Sequence, residues 1–182
     1  MLHEKVEIHP NIGVGILILR GKRVLMGCRK GPRSAGYFGL PGGYLELHES
    51  FRACAQREIF EETGLTDLSL NPFFLISVKT QEFHCIDMIF LAFLAHGEPI
   101  VREPHRVVEW LWYDFNDLPS PLYPPSALAL WHYHSKRPQL LIRLFLQKLR
   151  LSNDPIIHID LLDEFNETNY GSSNGVENLH LR

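Results

Sequence analysis

Three glutamates, Glu58, Glu61 and Glu62, stand between positions 58 and 62, in a stretch whose other residues are good helix formers. At about 100° per residue, Phe51, Cys54 and Ala55 share a face with all three, so an apolar stripe runs directly into a carboxylate cluster. Local physics opposes this twice. Glu58 and Glu62 are like charges at i, i+4, and all three lie in the last turns, where the helix dipole disfavours anions. A compensating charge is needed, and a hard divalent cation with oxygen ligands is the economical one. The plainer alternative is a solvated acidic face with Arg52 and Arg57 as neighbours. Context favours the cation. Just upstream, Leu40-Pro41-Gly42-Gly43 offers bare backbone that a ligand or metal can approach closely. Further upstream the basic loop Arg29-Lys30-Gly31-Pro32-Arg33 can meet phosphate oxygens. Carboxylates on a helix, a bare turn and guanidinium groups together describe a site for metal-bound phosphates.

The elements that must hold these groups read as follows. Residues 13–19 and 23–27 are apolar runs separated by Gly21-Lys22 and form a hairpin. Pro41-Gly42-Gly43 is a punctuated turn unsuited to a helix or central strand. Ser50 is an N-cap, 51–63 a helix, and Gly64 its C′ residue. Residues 68–78, 86–95 and 107–113 are strands, the second nearly all apolar from Met88 and therefore central in a sheet. Pro121, Pro124 and Pro125 mark a loop before helical segments at 126–134 and 138–151, with Pro138 suited to a first helical position.

A chain of 182 residues with 45% hydrophobic and 21% charged side chains is one globular domain with an appendage, and wholesale disorder is excluded. The net charge of −3 hides an asymmetry: residues 1–150 carry 17 basic and 15 acidic side chains, residues 151–182 one and six. So balanced a body has no footprint for duplex nucleic acid, and a small-molecule partner is expected. Cys28, Cys54 and Cys85 form no C-x-x-C pair, which suggests neither a disulfide framework nor a zinc site, and a reducing, cytoplasmic compartment is expected. No run approaches the roughly 18 apolar residues of a membrane span, and the first residues do not read as a secretion signal.

Gly43, Glu49, Arg57-Glu58-Ile59, Glu61-Glu62 and Gly64-Leu65 match G-x5-E-x7-R-E-U-x-E-E-x-G-U, with U aliphatic, without departure over 23 residues. This is the Nudix box, and residues 11–133 resemble the small MutT-like Nudix nucleoside-triphosphate pyrophosphohydrolases. The flanking G-C-R-K-G, L-P-G-G-Y-L-E and C-A-Q-R-E support the likeness, as do E-P-x-R and W-x-W. The resemblance implies an α/β/α sandwich with a mixed sheet, to which this chain adds a C-terminal helical extension: a hydrolase domain over 1–135, a helix over 136–151 and a flexible acidic tail over 152–182. It also implies Mg²⁺ or Mn²⁺, with Glu58, Glu61, Glu62 and the Gly42 carbonyl as its ligands. Arg57 and Glu49 would pair to keep the helix turned, and the general base is left open between Glu58 and Glu61. Around the substrate it implies Arg29, Lys30, Phe38, Leu40, Gly42 and Gly43, with Trp110 or Trp112 as further candidates to stack a base.

One departure stands out. Relatives with this pattern read E-P-E-K-C-E before the W-x-W, whereas this chain has Glu103-Pro104-His105-Arg106-Val107-Val108. His105 stands where an acid outside the box is expected, and Glu103 or Glu109 is the available substitute. The expected reaction cleaves a nucleoside triphosphate to monophosphate and pyrophosphate. ADP-ribose, NADH or a dinucleotide is the alternative substrate, although Thr80-Gln81-Glu82 lacks the proline that ADP-ribose hydrolases of the superfamily carry. A nucleotide-sensing module without catalysis is the reading from another class. His132 and His134 point to opposite sides of a helix and share no metal. The apolar segment 140–150 is expected to pack against the body or against a second subunit in a homodimer, a partner or membrane-surface helix being the alternative.

Overall fold

The computed structural model describes residues 9–32, 34–79 and 84–134, together with the backbone of 158–162. The first apolar run lacks polar alternation because both faces of its strand are covered. In β1 (Asn11–Arg20), Val14, Ile16 and Ile18 are buried on one side of the sheet and Leu17 and Leu19 on the other. The hairpin partner is β2 (Arg23–Arg29), in register Leu19↔Val24 and Arg20↔Arg23 around Gly21, whose φ of 59° suits glycine. Two short strands follow, β3 (Phe38–Gly39) and β4 (Gly42–Tyr44), and then helix α1 (Phe51–Thr63). β5 (Asn71–Lys79), β6 (His84–Phe93) and β7 (Val107–Asp114) precede helix α2 (Pro124–His134), and β8 (His158–Leu162) closes the order.

The eight strands form one mixed sheet in the order β3-β2-β1-β6-β5-β8, with β4 also paired to β1 and β7 to β2. β1 and β6 run parallel from Asn11↔Cys85 to Leu19↔Phe93, and the remaining pairs are antiparallel. β6 is interior, as its apolar run requires. One core joins Val14, Ile16, Ile18, Met88 and Phe90 to Cys54, Ala55 and Ile59 of α1. The other joins Leu17, Leu19, Ile76 and Ile89 to Ala127, Leu128 and Leu130 of α2. This is the expected α/β/α sandwich.

β1 and β2 run one or two residues beyond the bounds read from the sequence, β6 lies two residues earlier at His84–Phe93, and four larger points also differ. Leu68 to Leu70 precede β5, because Leu70 is buried against α1 instead of pairing. Helix α2 begins at Pro124, since prolines are tolerated in a first turn where the N–H would be unpaired anyway. Gly42 and Gly43 belong to a short strand after all. Finally, part of the stretch expected as a flexible tail is sheet: His158–Leu162 pairs antiparallel with β5, from Lys79↔His158 to Leu75↔Leu162. The sheet therefore takes a strand from beyond residue 135. The helix expected over 136–151 and the Thr80-Gln81-Glu82 stretch lie outside the described residues. Among the described residues no helix is long and apolar enough to cross a membrane.

What positions the site is a split edge. Along the side of β1 facing away from β6, Leu19 and Arg20 pair with β2, but Gly13, Val14 and Gly15 pair with Tyr44, Gly43 and Gly42 of β4. Between them the Ile16 N–H donates to the Pro41 carbonyl at 2.9 Å. The chain leading into α1 is thereby drawn to the middle of the sheet.

Candidate functional site: a two-sided cleft beside helix α1

Ser50 starts α1, its hydroxyl accepting from the Ala53 N–H at 3.1 Å, and Gly64 ends it with φ 71°. With Cys54, Ala55 and Ile59 packed on the sheet, the same face carries Glu58 and Glu62 inward, at 4% and 5% exposure. Glu61 leans outward, its side chain 48% exposed. Burial pushes the Glu62 carboxyl up to about 8, with the Gly42 N–H opposing and the charge of Glu58 adding to the rise. That N–H donates to Glu62 Oε2 at 3.0 Å. Burial also raises Glu58, against the pull of Arg57. The Trp110 indole N–H donates to the Glu62 carbonyl at 3.0 Å and braces the last turn. Gly43 is glycine for a steric reason: a Cβ there would run into the Glu58 carboxylate.

Arg57 ties the acids together. Its Nε and Nη2 grip both oxygens of Glu49 at 2.9 Å each, Nη1 reaches Glu58 at 2.7 Å and Glu61 at 3.1 Å, and Nη2 also donates to the Tyr44 carbonyl at 3.1 Å. The bidentate contact holds the Glu49 carboxyl down at about 2 and raises the guanidinium above its ordinary range. The expected Glu49–Arg57 pair is therefore formed, and it fixes the rotation of α1 relative to β4.

These groups open onto a cleft of about 690 Å³. One wall carries Arg57, Glu58, Glu61 and Glu62. Across the sheet edge, the other carries Leu40, Asp87, Ile89, Tyr123 and Ser126, and Glu103, His105 and Arg106 also line the cleft. Arg29 lies between, its Nε donating to the Ser34 hydroxyl at 3.0 Å and its guanidinium 4.5 Å above the Tyr123 ring. Among the described residues no three His, Cys, Asp or Glu side chains converge as a metal-ligand group. The donor chemistry nevertheless fits a hard divalent cation. Two buried carboxylates stand side by side, and Glu62 is met by a neutral N–H where Glu58 has a guanidinium.

Of the residues expected at the site, Arg29, Leu40, Gly42, Gly43, Arg57, Glu58, Glu61 and Glu62 line the cleft, with Glu49 behind Arg57. Two do not. Lys30 turns away, its ammonium donating to the Pro104 carbonyl at 2.6 Å. Phe38 packs into the α2-side core, edge-on to Tyr113 at 5.8 Å, because β3 pairs with β2 there. Trp110 braces α1 and Trp112 lies under the Arg20 guanidinium, so neither aromatic offered for stacking lines the cleft. Of the two substitute acids, Glu103 lines the cleft and Glu109 is exposed on β7. Asp87, Tyr44, Tyr123 and Arg106 were not singled out from the sequence. Of these, Asp87 carried a signal as a lone acid in an apolar strand, and Arg106 as the arginine of E-P-x-R.

The family profile described as the NUDIX domain matches residues 9–134. The chain belongs to the Nudix family, hydrolases acting on phosphoric anhydride bonds. It is 30% identical over 118 residues to the ADP-ribose pyrophosphatase of Methanocaldococcus jannaschii, covering 64% of this chain and 69% of that one. It is also 30% identical over 156 residues to the NAD-capped RNA hydrolase NudC of Stutzerimonas stutzeri, covering 84% of this chain but 51% of that one. The chain thus spans about half the length of the NudC relatives it matches. Among solved structures it resembles a MutT NUDIX hydrolase from Burkholderia pseudomallei with a TM-score of 0.59 and 34% identity, covering 68% of this chain and 97% of that one.

Proposed function

We propose that this chain hydrolyses the anhydride of a nucleoside diphosphate bearing a further group, with a divalent cation. The observation that carries the proposal is the buried Glu58 and Glu62 pair, braced by Arg57 on the wall of the cleft. Glu58 and Glu62, with Glu61 and the Gly42 carbonyl, would hold Mg²⁺ or Mn²⁺, which supplies charge neutralisation at the phosphates and a more acidic water. Arg57 keeps Glu58 and Glu61 facing the cleft, and Glu49 keeps Arg57 in place. Arg29 and Arg106, which line the cleft, would meet phosphate oxygens and stabilise charge as the bond breaks. Water attacks phosphorus and the bridging P–O bond breaks. The water's proton passes to a carboxylate, with Glu58 and Glu61 as the two candidates.

The substrate proposed first is a nucleoside triphosphate, on the strength of the box and its MutT-like flanks. A second reading, ADP-ribose, NADH or a related dinucleotide, is favoured by the names of the two curated relatives. Chromatography of products after incubation with Mg²⁺ and a panel of triphosphates, oxidised analogues, ADP-ribose, NADH and dinucleoside polyphosphates separates the two. Monophosphate plus pyrophosphate supports the first, and turnover confined to ADP-ribose or dinucleotides the second. Nucleotide binding without turnover of anything, with Mn²⁺ also tried, would overturn both in favour of a sensing module.

A further inference from the structure

On the α2 side of the sheet lies a part of the cleft that the hydrolytic machinery does not use. Gly13 pairs with Asp87 and Gly15 with Ile89 across the parallel β1–β6 contact. Alternate residues share a face, so these four stand together. A Cβ at Gly13 would meet Asp87 Oδ1 at 2.9 Å and the Gly43 carbonyl at 2.6 Å, and one at Gly15 would meet Ile89 Cδ1 at 2.9 Å. The two glycines thus let the Asp87 carboxylate and the Ile89 side chain lie close against β1, and Gly15, Asp87 and Ile89 line the cleft. The Tyr123 ring, capped by Arg29, lines the same cleft.

An acid in an apolar strand is costly unless something uses it. Asp87 interacts with the Cys85 thiol, a weak donor, and feels Arg29 through space. A carboxylate has about four lone-pair sites, so acceptor capacity remains for a ligand. The aliphatic side chain of Ile89, the Tyr123 ring and a carboxylate acceptor between strands suit a planar heterocycle better than a hydroxylated sugar.

We propose that Asp87 is a specificity-determining residue that reads the nucleobase, accepting hydrogen bonds from the amino-bearing edge of a purine lying between Ile89 and the Tyr123 side of the cleft. This deepens the proposed hydrolysis and rests on it for the position of the phosphates, which would lie across the sheet edge among Glu58, Glu62 and Arg29. Burial pushes the Asp87 carboxyl up to about 6, so it remains an ionised acceptor above neutrality.

The test is calorimetric binding of product monophosphates at pH 7.5 to wild type, Asp87→Asn and Asp87→Ser, with circular dichroism to verify folding. The ligand pairs differ by one amino group: adenosine against purine-riboside monophosphate, and guanosine against inosine monophosphate. The wild type should favour the amino member of at least one pair by about tenfold or more, because a site built to accept a hydrogen bond rejects the analogue lacking the donor. Both variants should reduce that preference to under about threefold, with the loss in turnover of the matching substrate falling on KM more than on kcat. A folded Asp87→Asn protein that keeps the wild-type preference overturns the proposal. So does a preference lost only between ribo- and 2′-deoxyribonucleotides, which would assign Asp87 to the sugar. A wild type that binds none of the monophosphates also overturns it. Binding with the expected preference but no hydrolysis of any substrate would sink the pyrophosphohydrolase reading and leave Asp87 as the base reader.

Discussion

On one side of the cleft, Glu49, Arg57, Glu58, Glu61 and Glu62 come from a single short segment, whose helix and caps fix their relative positions. On the other, Asp87, Ile89 and Tyr123 come from β6 and the approach to α2, with Arg29 of β2 between the two sides, and they meet only because β1 pairs in parallel with β6 and shares its opposite edge between β2 and β4. The first side is therefore a local construction that tolerates little change within the helix. The second is set by the topology of the whole sheet and can vary one residue at a time. The α1 side is suited to chemistry common to many substrates, the α2 side to choosing among them.

The largest effect expected on this contrast comes from Glu62→Gln. The variant should fold, since glutamine can still accept from the Gly42 N–H, and lose at least about a hundredfold in turnover, the scale of removing one active-site electrostatic group. A steady-state assay on protein with unchanged circular dichroism checks this. Gly43→Ala should come next, with a loss of tens of fold, because its methyl displaces the Glu58 carboxylate while leaving the α2 side untouched. Equal loss of base preference in that variant would break the separation between the two sides.

Arg57→Gln probes stability as well as rate. It strands Glu49 and Glu58 without their guanidinium, and at 23% side-chain exposure a cost of about 2–3 kcal/mol is expected, short of that for a fully buried pair. The midpoint of urea unfolding measures it.

The raised carboxyls give a pH prediction. Glu62 titrates near 8 when folded and near 4.5 when unfolded, so the folded state binds the extra proton between those values. Stability of the metal-free protein should therefore fall as pH rises from about 4.5 to 8, Glu58 contributing in the same direction. A divalent cation bound to the ionised pair should reverse this, so the rise in Tm on adding Mg²⁺ should grow between pH 6 and pH 8. Melting curves at each pH, with and without Mg²⁺, show whether it does. The smallest effect is expected from Lys30→Ala: with its ammonium on the Pro104 carbonyl, KM should move by less than about twofold, whereas Arg29→Ala should raise KM several-fold.

The same contrast explains what the sequence made legible. Helical periodicity and the caps at Ser50 and Gly64 specify α1 and the inward face of Glu58 and Glu62, because spacing within one segment sets them, whereas the outward lean of Glu61 and the Gly42 and Trp110 contacts to Glu62 depend on β4 and β7. The apolar run of β6 shows that the strand is interior but not which strand it pairs with, so the Asp87 carboxylate leaning over Gly13 could not be read. Phe38, Trp110 and Trp112 were offered to a base on residue type alone. Their destinations depend on the β2–β3 and β2–β7 pairings, which direct them to packing and to Arg20. Likewise, nothing local indicates that residues 158–162 return to pair with β5.

The central claim is that the Glu58 and Glu62 pair binds a divalent cation. It is tested most directly by titrating Mn²⁺ into the full chain at pH 7.5 and following the free-ion paramagnetic resonance signal, for wild type and Glu58→Gln/Glu62→Gln side by side. The account predicts that the wild type removes Mn²⁺ from solution and that the folded double variant does not. Equal uptake by both proteins, or by neither, would contradict it.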